Sequence, residues 1–169
     1  IAIMTSNIKI IKINSEISSI ILNEPKTYNS LSFKNLIDLL KALKKLNADN
    51  KVKVIIIEGA GKGFSAGHNL KEVRGLKKRD RYQKLFNLCS KVMLQIVEGR
   101  KPVIAKVHGA AFAAGCQLVA SCDLAYSTKD ALFATPGVNI GLFCSTPMVA
   151  VSRKINRKPM MKMLSLIHI

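Results

Sequence analysis

The sequence contains no tryptophan, and only 5% of its residues are aromatic. Because proteins that bind single-stranded nucleic acid stack bases on aromatic side chains, this scarcity counts against such a surface. Acidic residues are scarce too: 10 aspartates and glutamates stand against 27 lysines and arginines, a net charge of +17. That excess keeps a basic nucleic-acid-binding module open as an alternative. No helix-turn-helix, RNA-recognition or zinc-finger signature accompanies it, so a solvated, lysine-rich surface is the favoured interpretation.

Long hydrophobic runs and paired metal ligands are also lacking. No apolar run reaches the roughly 20 residues of a transmembrane helix, so we expect no membrane span. The four cysteines (Cys89, Cys116, Cys122 and Cys144) lack the paired spacing of a metal site, and we expect no metal. A reduced, intracellular protein follows. The first residue is Ile1, so a cytoplasmic location and, through a cleaved targeting peptide, a mitochondrial matrix location both stay open.

The 169 residues, 49% of them hydrophobic, suffice for one domain with a sizeable core. Apolar runs predict strands, and helical spacing of apolar residues predicts helices between them. The predicted strands cover residues 8–13, 17–22, 52–57, 102–107 and 124–127. The predicted helices cover residues 33–46, capped by Ser32, 79–98, about 148–155 and a last one from 160. Another helix is predicted from the apolar spacing of Leu118, Val119 and Cys122. This alternation predicts an α/β fold with a parallel sheet of repeated βαβ units.

Residues 108–123 predict a functional turn. They follow the buried strand 102–107 and pass through small residues into a helix. Such a turn aims unpaired backbone N–H groups at one point and adds the positive end of a helix dipole. The small side chains of Ala113, Ala114 and Gly115 allow a ligand to approach that backbone. Tight packing of strand against helix explains such a turn equally well when it is considered alone.

A second loop, residues 58–70, follows the strand 52–57 and is rich in glycine. It lacks the Gly-Lys-Ser/Thr ending of a phosphate-binding loop, and its glycine spacing does not fit the dinucleotide fingerprint. Two loops that each end a strand and each offer backbone donors indicate an oxyanion hole. Such a hole holds a thioester carbonyl as it becomes an enolate or a tetrahedral oxyanion.

Four segments in order (residues 22–31, 64–70, 108–118 and 133–141) resemble the signatures of the crotonase (enoyl-CoA hydratase/isomerase) superfamily. The resemblance implies a crotonase-like spiral of ββα units. It also implies that residues 1–169 form a single crotonase-like domain truncated before the C-terminal helical region. That N-terminal fragment would lack the helices that complete the trimer and cover the acyl pocket. For the full-length chain we expect a homotrimer or hexamer.

The resemblance places the oxyanion-hole N–H groups on His68 and Ala114, and gives the imidazole of His68 no required role. The family's two hydratase glutamates fall on Gln117 and Gly137. A glutamine can orient a water but cannot take its proton, and glycine can do neither. Cys144 and His108 are interpreted as structural residues.

The implied ligand is an acyl-CoA or enoyl-CoA thioester, with coenzyme A as part of the substrate and no permanently bound cofactor. The predicted substrate and coenzyme A contacts are Lys26, Thr27, Ala66, His68, Asn69, Leu70, Lys71, Phe112, Ala113, Ala114, Pro136 and Gly137. Among the lysines, Lys26 and Lys71 are the first candidates for the phosphates.

We therefore expect an acyl-CoA-binding protein of fatty-acyl-CoA metabolism that retains the oxyanion hole and lacks the hydratase acid–base pair. One hypothesis is an enzyme that stabilises an enolate in chemistry other than efficient hydration. A catalytically weak acyl-CoA-binding protein is the second hypothesis, and the basic nucleic-acid-binding module is the third.

Overall fold

The structure is a computed structural model that describes residues 7–165. Seven strands are present in this range: β1 (Ile8–Lys12), β2 (Ile17–Leu22), β3 (Val54–Gly59), β4 (Val103–Val107), β5 (Ala110–Phe112), β6 (Leu124–Ser127) and β7 (Leu132–Ala134). The main sheet has the order β1-β2-β3-β4-β6. The predicted parallel sheet is correct from β2 to β6. β1 pairs antiparallel with β2 because no helix separates them and a short turn, held by the Asn14 side chain, reverses the chain.

A second, smaller sheet lies beside the first. It contains β5 and β7, which are parallel, and Ser65 joins it through an isolated bridge to Ala111. After α1, each repeat supplies one strand to the main sheet and one short segment to the small sheet before entering a helix, whereas β1 and β2 both belong to the main sheet. This is the ββα repetition that the family resemblance implies.

Six α-helices complete the described range: α1 (Phe33–Ala48), α2 (Leu70–Gly75), α3 (Arg79–Val97), α4 (Ala114–Ser121), α5 (Ser145–Val151) and α6 (Arg157–Ser165). The predicted N-cap of α1 is confirmed, since the Ser32 side chain accepts a hydrogen bond from the N–H of Asn35. The predicted helix near 148–155 begins earlier, at Ser145, and ends earlier, at Val151. The last predicted helix, from residue 160, corresponds to α6, which begins earlier, at Arg157; residues 166–169 lie outside the described residues.

The core lies between the main sheet and the helices that follow its strands. It includes Ile55 and Ile57 of β3, Ala105 of β4, and the apolar faces of α1 and α3. Val97, the last residue of α3, is 59% exposed because it lies off the buried face of that helix. Within residues 7–165, no helix combines the length and hydropathy needed to cross a bilayer.

Candidate functional site

The two loops identified in the sequence meet at the small sheet. Ser65 donates its N–H to the carbonyl of Ala110 (3.0 Å) and accepts from the N–H of Phe112 (2.8 Å). These two bonds fix the register between the loop after β3 and the strand β5. The start of α4 packs against the same residue, since a Cβ on Gly115 would lie 2.2 Å from the carbonyl oxygen of Ser65. The loop and the helix start are thus held together by backbone contacts.

Gly67 brings the two predicted donors close to each other. Its φ is +86°, and a Cβ added to it would lie 3.0 Å from the nitrogen of Ala114 and 2.9 Å from the carbonyl oxygen of Phe112. Only glycine combines this backbone conformation with so close an approach. The residue after it is His68, so the backbone of His68 and the N-terminus of α4 are neighbours.

The chain enters α4 through an unusual backbone conformation. Ala113 has φ 48° and ψ −118°, and its N–H donates to the carbonyl of Ala134 in β7 at 2.8 Å. Among the residues that the structure describes, no acceptor is found for the N–H groups of His68 and Ala114. Ala114 is the first residue of α4, where backbone N–H groups have no partner inside the helix. Two such groups and the positive end of a helix can together bind an oxygen that carries negative charge.

The side chain of His68 is anchored at one nitrogen. Its Nδ1 lies 3.1 Å from the carbonyl oxygen of Leu31, and its ring contacts Phe86 of α3 edge-on, with centroids 5.3 Å apart. Its Nε2 is buried, and no hydrogen-bond partner is found for it among residues 7–165. Burial lowers the pKa of the imidazole, against the opposing effects of the Leu31 hydrogen bond and the charge of Glu72.

Gln117 lies in the first turn and a half of α4 and is 6% exposed. Side chains of a helix lean toward its N-terminus, so this amide leans toward the turn that begins at Ala114. Its Oε1 is buried, and no donor for it exists in the described part of the chain. The position that the resemblance assigns to the first hydratase glutamate therefore holds a neutral amide with an unused acceptor.

Gly137 lies in a 3-10 turn, Pro136–Ile140. A Cβ at this position would lie 2.8 Å from Sγ of Cys144 and 2.8 Å from the carbonyl oxygen of Leu142. The Gly137 carbonyl in turn accepts from the N–H of Leu142 at 2.9 Å, which closes the loop on itself. The position assigned to the second hydratase glutamate therefore has no room for a side chain unless the loop moves.

Several other residues predicted to contact the ligand have structural contacts. Asn69 caps α2, since its side chain accepts from the N–H groups of Lys71 and Glu72. The Ala66 N–H donates to the carbonyl of Tyr28, and Thr27 accepts a hydrogen bond from the Ser30 hydroxyl. Four of the predicted residues are exposed: Lys26, Ala66, Leu70 and Lys71. Neither lysine forms an ion pair with a described residue.

The remaining candidate groups are structural. His108 is hydrogen-bonded as predicted, with Nε2 2.8 Å from the Gly61 carbonyl oxygen. Burial raises the pKa of Cys116 to about 11 and those of Cys89 and Cys122 to about 12, so these three stay thiols. No cluster able to hold a metal ion occurs within residues 7–165.

A cavity of about 400 Å³ lies beside the site rather than in it. Its walls are apolar and come from α4, β6, β7 and the two last helices, with Val119, Leu124, Phe133 and Val151 among the lining residues. Neither His68 nor Gln117 reaches this cavity. It therefore does not extend the space in front of the two backbone donors.

Sequence reasoning missed the anchored imidazole and the ring that contacts it. The His68–Leu31 bond joins residues 37 positions apart, and no local pattern signals it. No local pattern singles out Phe86 either, since its helix also contains Tyr82. Sequence reasoning also missed the small sheet, whose strands have only three residues each.

The chain is similar in sequence to known proteins. The family model described as enoyl-CoA hydratase/isomerase matches residues 12–168. Human enoyl-CoA hydratase domain-containing protein 3, mitochondrial, is 49% identical over 148 residues, which are 88% of this chain and 49% of that protein. The Xenopus laevis protein of the same name is 48% identical, over 88% of this chain and 50% of that protein. The chain thus spans about half the length of these curated relatives.

Solved structures agree with the sequence matches. The crystal structure of an enoyl-CoA hydratase from Mycobacterium smegmatis has a TM-score of 0.90 at 47% identity, over 93% of this chain and 61% of that chain. The structure of human enoyl-CoA hydratase domain-containing protein 3 has a TM-score of 0.89 at 46% identity, over 93% of this chain and 62% of that chain. Residues 113–122 and 133–147 already indicated similarity to this last protein, and the comparison confirms it.

Proposed function

The chain belongs to the enoyl-CoA hydratase/isomerase family, and from that premise we propose that it binds acyl-CoA thioesters and stabilises an oxyanion at the thioester carbonyl. The proposal rests on the close approach of Gly67 to Ala114. A Cβ added to Gly67 would lie only 3.0 Å from the nitrogen of Ala114. That contact brings together two backbone segments whose N–H groups have no acceptor among the described residues. The proposed ligand oxygen sits between the N–H groups of His68 and Ala114.

This arrangement suits negative charge that develops during a reaction. Backbone donors fixed by hydrogen bonds on both sides need no reorganisation when an enolate or tetrahedral oxyanion forms. Ser65 fixes the loop before His68, and the Ala113–Ala134 bond fixes the start of α4. One donor of such a pair typically contributes about 10²–10³-fold to turnover.

Efficient hydration of an enoyl-CoA is not part of the proposal. Hydration needs a base that takes a proton from water and an acid that protonates the α carbon. Gln117 has no titratable group, and Gly137 has no side chain and no space for one. The proposed activity is therefore enolate chemistry on an acyl-CoA. A weakly catalytic acyl-CoA-binding protein is the second candidate, because Gln117 and Gly137 provide no acid or base.

Coenzyme A would enter as part of the substrate, and the exposed ammonium groups of Lys26 and Lys71 are our candidates for its phosphates. The relatives named above carry "mitochondrial" in their names, and we propose the mitochondrial matrix as the location of this protein as well. A role in fatty-acyl-CoA metabolism and assembly of the full-length protein as a trimer or hexamer are further parts of the proposal.

Calorimetric titration of the full-length protein with butyryl-CoA and with free coenzyme A tests the proposal. We expect saturable binding of both, with a clear preference for the thioester, because only the thioester supplies a carbonyl to the two N–H groups. Equal affinity for butyryl-CoA and free coenzyme A would contradict the proposed contact between the thioester carbonyl and the two N–H groups.

A further inference from the structure

Two buried polar atoms without partners lie at the proposed site. Residues 7–165 contain four buried side-chain nitrogen or oxygen atoms without a hydrogen-bond partner: Ser18 Oγ, Asn47 Oδ1, His68 Nε2 and Gln117 Oε1. The last two belong to the residues that the sequence assigned to the site. A buried polar atom without a partner is unusual in a folded protein and calls for a specific explanation, of which a catalytic role is one.

The tautomer of His68 follows from its one hydrogen bond. The carbonyl oxygen of Leu31 can only accept, so Nδ1 of the imidazole carries the hydrogen and donates it. In the neutral ring the other nitrogen, Nε2, then bears a lone pair. This is how enzymes orient a histidine base: a second group holds one ring nitrogen and leaves the other free to take a proton.

The surroundings of the ring favour its neutral form. Burial lowers the pKa of His68 from its ordinary value, and this effect exceeds the opposing ones. The charged group that acts on the ring is Glu72 of α2, whose carboxylate also accepts from the N–H of Phe33 at 3.0 Å. At neutral pH the imidazole is therefore unprotonated and able to accept a proton.

The residues at the two hydratase positions and the neighbouring cysteine cannot act as a base. Gln117 and Gly137 have no titratable side chain, and the nearby Cys116 remains a thiol because burial raises its pKa. The imidazole of His108 is hydrogen-bonded to the carbonyl oxygen of Gly61. His68, in contrast, carries a proposed oxyanion donor on its own backbone, so its imidazole is covalently confined to the neighbourhood of the bound thioester.

We propose that Nε2 of His68 is the general base of this site and removes a proton from the α carbon of the bound acyl thioester. The inference rests on the proposed function, because the thioester must first lie between the two N–H groups. The α C–H bond breaks and its proton passes to Nε2. The electron pair forms the carbon–carbon double bond of the enolate, and the carbonyl oxygen becomes the oxyanion. Return of a proton from Nε2 to the carbon restores the thioester, so no co-reactant is needed.

Phe86 is an aromatic neighbour of this imidazole. Its ring contacts the imidazole edge-on, and the residue is 36% exposed. In the proposed complex the α carbon lies against Nε2 with the Phe86 ring displaced toward solvent. The substrate class is thus an acyl-CoA with at least one acidic α hydrogen.

Hydrogen exchange at the α carbon measures this step without knowledge of the physiological reaction. The full-length protein is incubated with butyryl-CoA in D₂O, and deuterium uptake is followed by mass spectrometry. We expect exchange with the unmodified protein. The variant His68→Asn keeps the backbone N–H and an amide that can donate to the Leu31 carbonyl, but it lacks a base. Its exchange rate should fall about 10²–10⁴-fold while its affinity for butyryl-CoA changes less than about threefold.

Two further readouts separate a catalytic from a structural role. Exchange should rise with pH and level off below the ordinary histidine value of about 6.5, and His68→Asn should lose that rising limb. Imidazole added to the smaller variant His68→Ala should restore part of the rate. Exchange by His68→Asn at the unmodified rate would overturn the inference. Binding without exchange in the unmodified protein would overturn it and leave the proposed function intact, whereas absence of binding would overturn both.

Discussion

Restoring the two hydratase carboxylates should not turn this protein into a hydratase, and the reason lies in the loop around Gly137. A Cβ at this position meets Sγ of Cys144 and the carbonyl oxygen of Leu142, each at 2.8 Å. The sulfur can turn aside, but the carbonyl is backbone and is held by the neighbouring turn. The variant Gly137→Glu must therefore displace residues 137–142 before its carboxylate can reach the site.

The size of the effect follows from overpacking. Forcing extra atoms into a packed region typically costs about 1–3 kcal/mol. For a protein of 150–250 residues, each kcal/mol lowers Tm by roughly 2–4 °C, so we expect a drop of about 2–12 °C. The matched control is Gly75→Ala in α2, where an added Cβ meets nothing within 4 Å and Tm should not fall.

Thermal unfolding and crotonyl-CoA hydration are the two assays for this prediction. The double variant Gln117→Glu with Gly137→Glu should show the lowered Tm and less than a tenfold gain in hydration, because the second carboxylate is misplaced. Cys144→Ala in the same background should recover only part of the Tm, since the Leu142 carbonyl remains. A double variant with unchanged Tm and turnover near the enzyme median of about 10 s⁻¹ would refute the reasoning.

Three other predictions concern the site and the charge. Ala114→Pro removes one proposed donor, and the rate of α-hydrogen exchange on butyryl-CoA should fall about 10²–10³-fold. Ala114→Gly keeps the N–H and should retain that rate. Because Ala113 has φ 48° and ψ −118°, which proline disfavours in the residue before it, circular dichroism must show that both variants are folded. Gly67→Ala should lower the free energy of unfolding by roughly 1–3 kcal/mol and weaken butyryl-CoA binding, because φ is +86° and the Ala114 nitrogen is close; a stable variant with normal affinity would contradict this. Random RNA should bind weakly and not compete with butyryl-CoA, and tight, steeply salt-dependent binding would favour the nucleic-acid alternative.

The large elements of the fold could be predicted because their signals are local. The strand β2 lies at the predicted residues 17–22, and Ser32 caps α1 as its type and position indicate. These signals depend on periodicity and on one polar side chain before an apolar run. The small sheet was not predictable in this way, because β5 and β7 are short and Ala111 bridges to Ser65, 46 positions away in the sequence.

The candidate site, like the fold, could be predicted only where its signals are local or come from the family resemblance. The two loops and the residues His68 and Ala114 could be singled out from glycine content and family resemblance. The unpartnered Nε2 of His68 could not, because it depends on a carbonyl in the segment before α1 and on a ring in α3. The closed space at Gly137 depends likewise on how residues 142–144 fold back, which no spacing rule describes.

The carbonyl ¹³C chemical shift of butyryl-CoA labelled at the thioester carbon tests the central claim most directly. Two hydrogen bonds to the carbonyl oxygen polarise the C=O bond and move this resonance downfield when the ligand binds. We predict a downfield shift with the unmodified full-length protein, the same shift with Ala114→Gly, and a smaller one with Ala114→Pro. A saturated complex whose carbonyl resonance stays at the position of free butyryl-CoA would contradict the placement of the thioester between His68 and Ala114.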